Sequence, residues 1–509
     1  MRHNLKKIVL TASVLAVVGC QDLAVENPNA PDRERALNNP EDIETLVASS
    51  WIPYWDRTQA KGWPYHALTA VSGIHQTSVG NNAALELSVI PRPRYDNNPV
   101  SKHAGVARYP WYDFYKGLDN ANIGLRAIQD GLEIGKDGAN NHRAISFATF
   151  SQGLMLGYIG LMYDKGFIAF EDADFEDPAT LDLHPYEEVI AAAVEKMQEA
   201  AEISLQEEFT IPNYWVNGIT LSNEDLAKLA HSFAARFLVY SARYPEDRED
   251  VDWERVIYHV DNGITEDFIL EHNREELESP NYKRRIQNNA FNGFFADNWF
   301  LGRADVSNNF QEWLDTPLED RRRFHITTPD RRLTGEEPDS RGKYFTYRAT
   351  HNFRDERGTW RQSYYQFRRW NGAWRDAPTL LMSVDEMNLL KAEALARLGR
   401  LDEAAELTNL TRVENGELPP VTAEGVPVSE DCVPRTHEGV CEDLLGAIMW
   451  ERMIETTGLE SPLDWMDNRG WGVLQPGTFV HLPIPGRELE MLQIPIYSFG
   501  GVGGEGAAR

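Results

Sequence analysis

The sequence predicts a mainly α fold: tetratricopeptide-like helical pairs forming a scaffold, with long irregular insertions and a few short β-strands. Three observations carry this prediction. Apolar residues recur at three- and four-residue steps over long stretches, as in Phe147, Phe150, Leu154 and Tyr158. The run Ala392-Glu393-Ala394-Leu395-Ala396-Arg397-Leu398-Gly399-Arg400-Leu401-Asp402-Glu403-Ala404 sets small residues and a glycine-containing turn between two amphipathic segments, the pattern of an antiparallel helical pair. Glycine and proline crowd residues 61–110, and residues 265–378 are of mixed character with strand-like stretches, so both read as insertions into an otherwise helical body.

The chain opens with the basic segment Met1-Arg2-His3-Asn4-Leu5-Lys6-Lys7, an apolar run from Ile8 to Val18, and Val17-Val18-Gly19-Cys20. This is the arrangement of a lipoprotein signal peptide over residues 1–19, with Cys20 acylated as the new N-terminus. A plain signal peptide or a short anchor are the alternatives, but the apolar run falls short of the roughly 20 residues that a spanning helix needs. Residues 20–39 are rich in Asn, Pro, Asp and Arg and read as a polar tether. Residues 40–509 then form a single body. Loss of Arg2, Lys6 and Lys7 from the 50 basic residues leaves 47 against 79 acids, a net charge of −32 in place of −29. Such a charge repels polyanions and excludes nucleic acid as a general partner.

The first helix is expected from Pro40 to Trp55, capped by Asn38 or Asn39. From Lys61 to Pro110 the pattern breaks down, and helical periodicity returns at Tyr112 to Gly131 and His142 to Tyr163. Pro185 to Leu205 starts on a proline followed by Glu187 and Glu188, and Ser222 caps a helix running to Arg243. Asp252 to Gly263 ends on glycine. Pairs are therefore expected at His142 to Leu205 and at Ser222 to Gly263, separated from the third pair by more than 100 residues. Within the second insertion, Tyr344 to Tyr347 and Ser363 to Phe367 have strand composition.

Cys432 and Cys441 read as a disulfide in an exported chain, a metal site through Cys432, His437 and Cys441 lacking a fourth ligand at zinc spacing. No metalloprotease, nucleophile-elbow or phosphate-loop signature is present. Gly501-Val502-Gly503-Gly504-Glu505-Gly506 matches a dinucleotide fingerprint in letters only, since no helix follows it. Asp172, Asp174 and Glu176 alternate as in a calcium loop, but Asp177 and Leu183 occupy the glycine and glutamate positions, so a solvated acidic loop is expected and no cofactor is assigned.

Sugar rings present apolar faces edged with hydroxyls, so their sites combine aromatic rings with amide, guanidinium or carboxylate groups. Trp63, Tyr65, Asn81, Arg92, Tyr95 and Asn97 in the first insertion, and Trp299 and Trp313 in the second, supply those ingredients, although each ring is equally a core residue by type. The stretch Arg341 to Asp376 holds nine basic residues against three acids. It suits an acidic glycan, a partner protein, or a surface sheet whose arginines lie on rings.

Several of these segments together resemble the SusD/RagB outer-membrane lipoproteins. They are the Cys20 signal, Asn27-Pro28-Asn29-Ala30-Pro31, Trp111-Tyr112-Asp113-Phe114-Tyr115-Lys116-Gly117-Leu118-Asp119-Asn120-Ala121-Asn122, and Ser383 to Ala394. Trp450-Glu451-Arg452 and His481-Leu482-Pro483-Ile484-Pro485 with Glu488-Leu489 complete the set. The resemblance implies a non-catalytic body lying as a lid on a SusC-like TonB-dependent transporter, anchored in the outer membrane through lipid and facing the exterior. It implies an oligosaccharide ligand or, in some members, a peptide. Ligand residues vary within the family, and none is carried over. A surface glycan hydrolase and a purely structural transporter partner are the competing readings.

Overall fold

The computed structural model describes residues 38–60, 63–78, 80, 82–173, 181–271, 294–350, 354–369, 378–460 and 462–509. Cys20, the tether up to residue 37, Asn81 and residues 174–180 of the acidic loop lie outside them. The longer helices are α1 (Pro40–Ser49), α2 (Gly105–Gln129), α3 (Asn141–Met162), α4 (Tyr186–Ser204), α5 (Asn223–Tyr240), α6 (Trp253–Asp261), α7 (Val384–Arg397), α8 (Leu401–Glu414), α9 (Leu444–Thr456) and α10 (Leu463–Trp471). Short antiparallel two-stranded ribbons make up the β structure. The fold is mainly α, as the sequence predicts.

Helix starts follow local chemistry. Asn39 accepts from the Glu41 N–H, with Pro40 and two acids in the first turn of α1. Ser222 and Asp225 form a reciprocal capping box on α5. Asp252 and Ser383 cap α6 and α7 through Arg255 N–H and Glu386 N–H. Gly399, at φ +79°, makes the left-handed turn between α7 and α8.

Two boundaries differ from expectation. The first helix ends at Ser49, and Ile52–Trp55 and a wide turn at Asp56–Ala60 follow. Helix α2 begins at Gly105, so Pro110 lies inside it rather than before it. As the sixth residue of α2, Pro110 lies beyond the first turn, and having no N–H it leaves Val106 O without its regular intrahelical donor. The first insertion is also less irregular than its punctuation suggests: it contains a helix at Tyr65–Val71, a strand at His75–Thr77 and a helical turn at Ala84–Leu87.

Successive helices stack in sequence order, α2 on α3, α3 on α4, α4 on α5 and α5 on α6. The stack then continues directly from α6 to α7 and α8. The pairs separated by the second insertion are thus neighbours in space. One hydrophobic cluster runs through the stack from Ile43 through Phe150, Phe237 and Leu390 to Phe499. Helix α3 is apolar and long enough to cross a membrane, but nearly all of it is buried inside this stack. A second cluster of Ile74, Phe300, Leu333, Phe345 and Tyr365 joins the insertion to Trp450 and Met453 of α9.

Candidate functional site

The platform begins with the ribbon Phe345–Tyr347 and Tyr365–Phe367, whose register sets Phe345 opposite Phe367 and Tyr347 opposite Tyr365. Phe345 is buried against Phe300, which stacks on Trp450 with centroids 5.0 Å apart. The Tyr365 hydroxyl donates to Pro338 O at 3.0 Å and accepts from Ile326 N–H at 3.0 Å. That second bond holds the residue next to Ile326, His325, beside the ribbon.

The result is a triangle of rings. His325 lies 5.3 Å from Tyr347 and 4.7 Å from Tyr364, and the two tyrosines are 5.1 Å apart, with interplanar angles of 27°, 35° and 30°. His325 is exposed and both tyrosines are half-buried. The Arg323 guanidinium sits 4.5 Å above the Tyr364 ring, and Arg348 N–H donates to Tyr364 O at 2.7 Å. Partial burial, then Tyr364 and Asp339, raise the Tyr347 phenol, which stays neutral at physiological pH. The site therefore offers neutral aromatic surface beside the Arg323 guanidinium, a combination suited to stacking and hydrogen bonding.

The residues singled out in sequence are placed differently. Tyr95 is buried, donating to His103 O at 3.1 Å, and Asn97 bridges Ile484 O, Tyr497 O and Gly486 N–H. Both tie the first insertion to the C-terminal segment. Tyr65 is buried against His66, and Trp63 is half-buried against the main cluster. Arg92 is 4% exposed, and burial lowers its guanidinium to about 10 against the opposing pull of Asp297. Trp299 is half-buried, donating to Val473 O at 3.1 Å and packing 3.9 Å from His437. Trp313 is buried under the Arg321 guanidinium, 4.3 Å away, and against Phe310. Trp299 and Trp313 meet in one small cluster, whereas Tyr95 and Asn97 belong to another part of the molecule.

Cys432 and Cys441 are joined as a disulfide with Cα atoms 5.8 Å apart, which removes both thiols from any metal site. Among the described residues no group of three or more His, Cys, Asp or Glu side chains is arranged to hold a metal. His325 and Arg323 escape a reading of the basic strip that starts at Arg341. Their signal is the short run Arg321-Arg322-Arg323-Phe324-His325. Arginines also lie on rings at Arg369 over Tyr344 and Arg361 over Trp360, 4.0 and 4.3 Å from the centroids. Clefts of about 350 and 380 Å³ open elsewhere, on the helical stack, and Arg243 covers the Tyr186 ring that lines the first of them.

No family model matches the sequence, and no curated protein matches it. Solved structures match it over most of its length. A SusD homolog from Bacteroides thetaiotaomicron VPI-5482 is 14% identical with a TM-score of 0.55, covering 87% of this chain and 89% of that one. A SusD superfamily protein from Bacteroides vulgatus ATCC 8482 is 14% identical with a TM-score of 0.54, covering 91% and 99%. The chain has the SusD fold. A SusD-like carbohydrate binding protein from Bacteroides fragilis NCTC 9343 shares it at 15% identity and a TM-score of 0.51, covering 93% and 96%.

Within this SusD fold, those segments of the family resemblance that lie among the described residues hold the architecture together. Trp450 donates to Asp330, Glu451 binds Arg332, and Arg452 binds Glu393 and Asp467 in the interior. Leu482 N–H donates to Met162 O at the end of α3, and Asn122 donates to Ala169 O.

Proposed function

We propose that this protein is a non-catalytic, cell-surface glycan-binding lipoprotein, anchored in the outer membrane through Cys20, that passes oligosaccharide to a SusC-like TonB-dependent transporter. The observation that carries the reading is the His325–Tyr347–Tyr364 triangle, three rings held together on a ribbon that is itself braced by the core. A pyranose stacks its apolar face on such rings, while the flanking Arg323 and Arg348 hydrogen-bond its hydroxyls. The carbohydrate-binding neighbour in fold and the signal-peptide sequence support the same reading. The helical stack, remote in sequence from the ribbon, supplies the transporter contact.

Calorimetric titration of the soluble body, residues 38–509, against a glycan panel tests it. Tyr364→Ala is expected to weaken binding of the preferred glycan about tenfold, or ~1.4 kcal/mol, without shifting the unfolding midpoint. Unchanged affinity would remove the triangle as the site, and a chain that binds peptides but no glycan would overturn the ligand class. Release of shortened products from a polysaccharide would show an enzyme instead.

A further inference from the structure

The ring triangle is assembled from two pieces of chain. Tyr347 and Tyr364 come with the ribbon, whereas His325 arrives on residues 325–327, which belong to neither strand. Strand register therefore does not set the distance between His325 and the tyrosines. Side chains do so instead. His325 O accepts from Asn309 Nδ2 at 2.8 Å, Ile326 N–H donates to the Tyr365 hydroxyl at 3.0 Å, and Thr327 N–H donates to Asp305 Oδ1 at 3.0 Å. Thr327 O also accepts from Val306 N–H at 2.8 Å. Of these, the Tyr365 bond runs to the ribbon, and the others join 325–327 to the turn at 305–309.

Asp305 organises that turn. Its Oδ1 also accepts from Ser307 N–H at 3.2 Å and from the Ser307 hydroxyl at 2.7 Å, and its Oδ2 accepts from Phe310 N–H at 3.1 Å. The first of these is the turn that an Asp side chain makes with the backbone two residues on. Asn308 follows in the left-handed region at φ +70°, and the short helix Asn309–Asp315 begins there. Asp305 is 2% exposed and is in no ion pair among the described residues, so hydrogen-bond donors replace its lost water. Hydrogen bonds to a carboxylate are shorter and stronger than those between neutral groups. Those from Ser307 and Phe310 close the turn on itself. The Thr327 bond reaches 22 residues along the chain, to the segment that carries His325.

We propose that Asp305, assisted by Asn309, is a positioning residue of the ring platform: it sets His325 against Tyr347 and Tyr364 by fixing the backbone that carries the ring, so that sugar affinity depends on a carboxylate that touches no sugar. The effect on affinity rests on the glycan reading above; the effect on the ring does not. Proton–carbon correlation spectra of residues 38–509 with labelled histidine, assigned through His325→Ala, report the ring directly. In the wild type the neighbouring tyrosine rings displace the His325 signals from the ordinary histidine position. Asp305→Ala is expected to return them at least halfway while the His231 and His259 signals stay in place. Asn309→Ala, at a half-buried position, is expected to move them in the same direction and decides the matter if Asp305→Ala does not fold. Asp305→Asn separates positioning from turn stability. With three donors at Oδ1 and one at Oδ2, the amide oxygen takes the Oδ1 place, keeps the Thr327 bond and sets its NH2 against the Phe310 N–H. The unfolding midpoint is then expected to fall with the His325 signals close to wild type. Maltohexaose, xylohexaose and a galacturonate hexasaccharide are titrated in parallel. For a sugar that binds, Asp305→Ala is expected to weaken affinity about fivefold and His325→Ala about tenfold, the double variant losing no more than His325→Ala alone. His325 signals unmoved in Asp305→Ala and Asn309→Ala, signals moved as far in Asp305→Asn as in Asp305→Ala, or losses that multiply in the double variant would overturn the assignment. If the signals move as expected and none of the three sugars binds, the glycan reading falls and the positioning of the ring stands.

Discussion

His231 and His259 face each other across the α5–α6 contact with Nδ1 atoms 2.9 Å apart, a distance at which one ring must donate and the other accept. Burial, with His231 and Arg255 adding like charge, lowers His259 to about 3, and burial lowers His75 to about 4. Unfolded histidines bind protons near 6.5, so between that pH and 3–4 the unfolded chain binds more protons than the native one. These rings therefore cost stability as pH falls through that window, on the order of 3 kcal/mol for His75 and 5 kcal/mol for His259 when it has been crossed. Asp164 and Asp297, raised to about 6 by burial, act oppositely between pH 6 and 4, which flattens the wild-type profile there. The histidine contribution is isolated by His259→Gln, whose stability relative to wild type is expected to improve steadily from pH 6.5 down to 4 in urea denaturation. Parallel profiles would mean that His259 already carries a proton in the native chain.

Among the elements, α3 has the least room for change. Gly153, Gly157 and Gly160 face α4 and α5, and a Cβ on Gly157 would fall 2.1 Å from the Phe237 ring. Overpacking of this kind costs about 1–3 kcal/mol. Gly157→Ala is expected to lower the chemical-denaturation midpoint accordingly, and pairing it with Phe237→Leu should restore part of the loss. A Gly157→Ala chain as stable as wild type would mean that α5 can move away without penalty. Helices of this length were legible because their caps and periodicity are local: Ser222 and Asp252 sit where the sequence places them. The ring triangle was not. It depends on the register of a ribbon three residues long and on one Tyr365 hydroxyl bond to Ile326, neither of which leaves a periodic trace. Tyr95 and Asn97 misled for the complementary reason. Their polar groups are taken up by backbone atoms, His103 O for the Tyr95 hydroxyl and Ile484 O and Tyr497 O for the Asn97 amide, so residue type alone gave them the look of a binding loop.

At the scale of the whole molecule, an insertion interrupts a helical stack without breaking it, and the site stands on the insertion. What connects the two is α9. Glu455, fully buried, accepts from the Tyr344 hydroxyl at 2.7 Å, from Arg332 at 3.0 Å and from Asn415 at 3.1 Å, and pairs with Arg369 at 3.1 Å. Tyr344 and Arg369 lie just outside the two strands at the same end of the ribbon, so one carboxylate ties both strands to the stack at that end. Removing one partner from a buried charge network leaves the others uncompensated and typically costs 3–5 kcal/mol. Glu455→Gln is therefore expected to loosen the insertion rather than the stack: far-UV circular dichroism retains the helical signal, limited proteolysis reaches the 320–369 region first, and glycan affinity falls although no residue of the ring triangle has changed. If the variant bound glycan as tightly as wild type and resisted protease equally, the stacking of Phe300 on Trp450 would suffice to seat the insertion, and the carboxylate would contribute to stability alone.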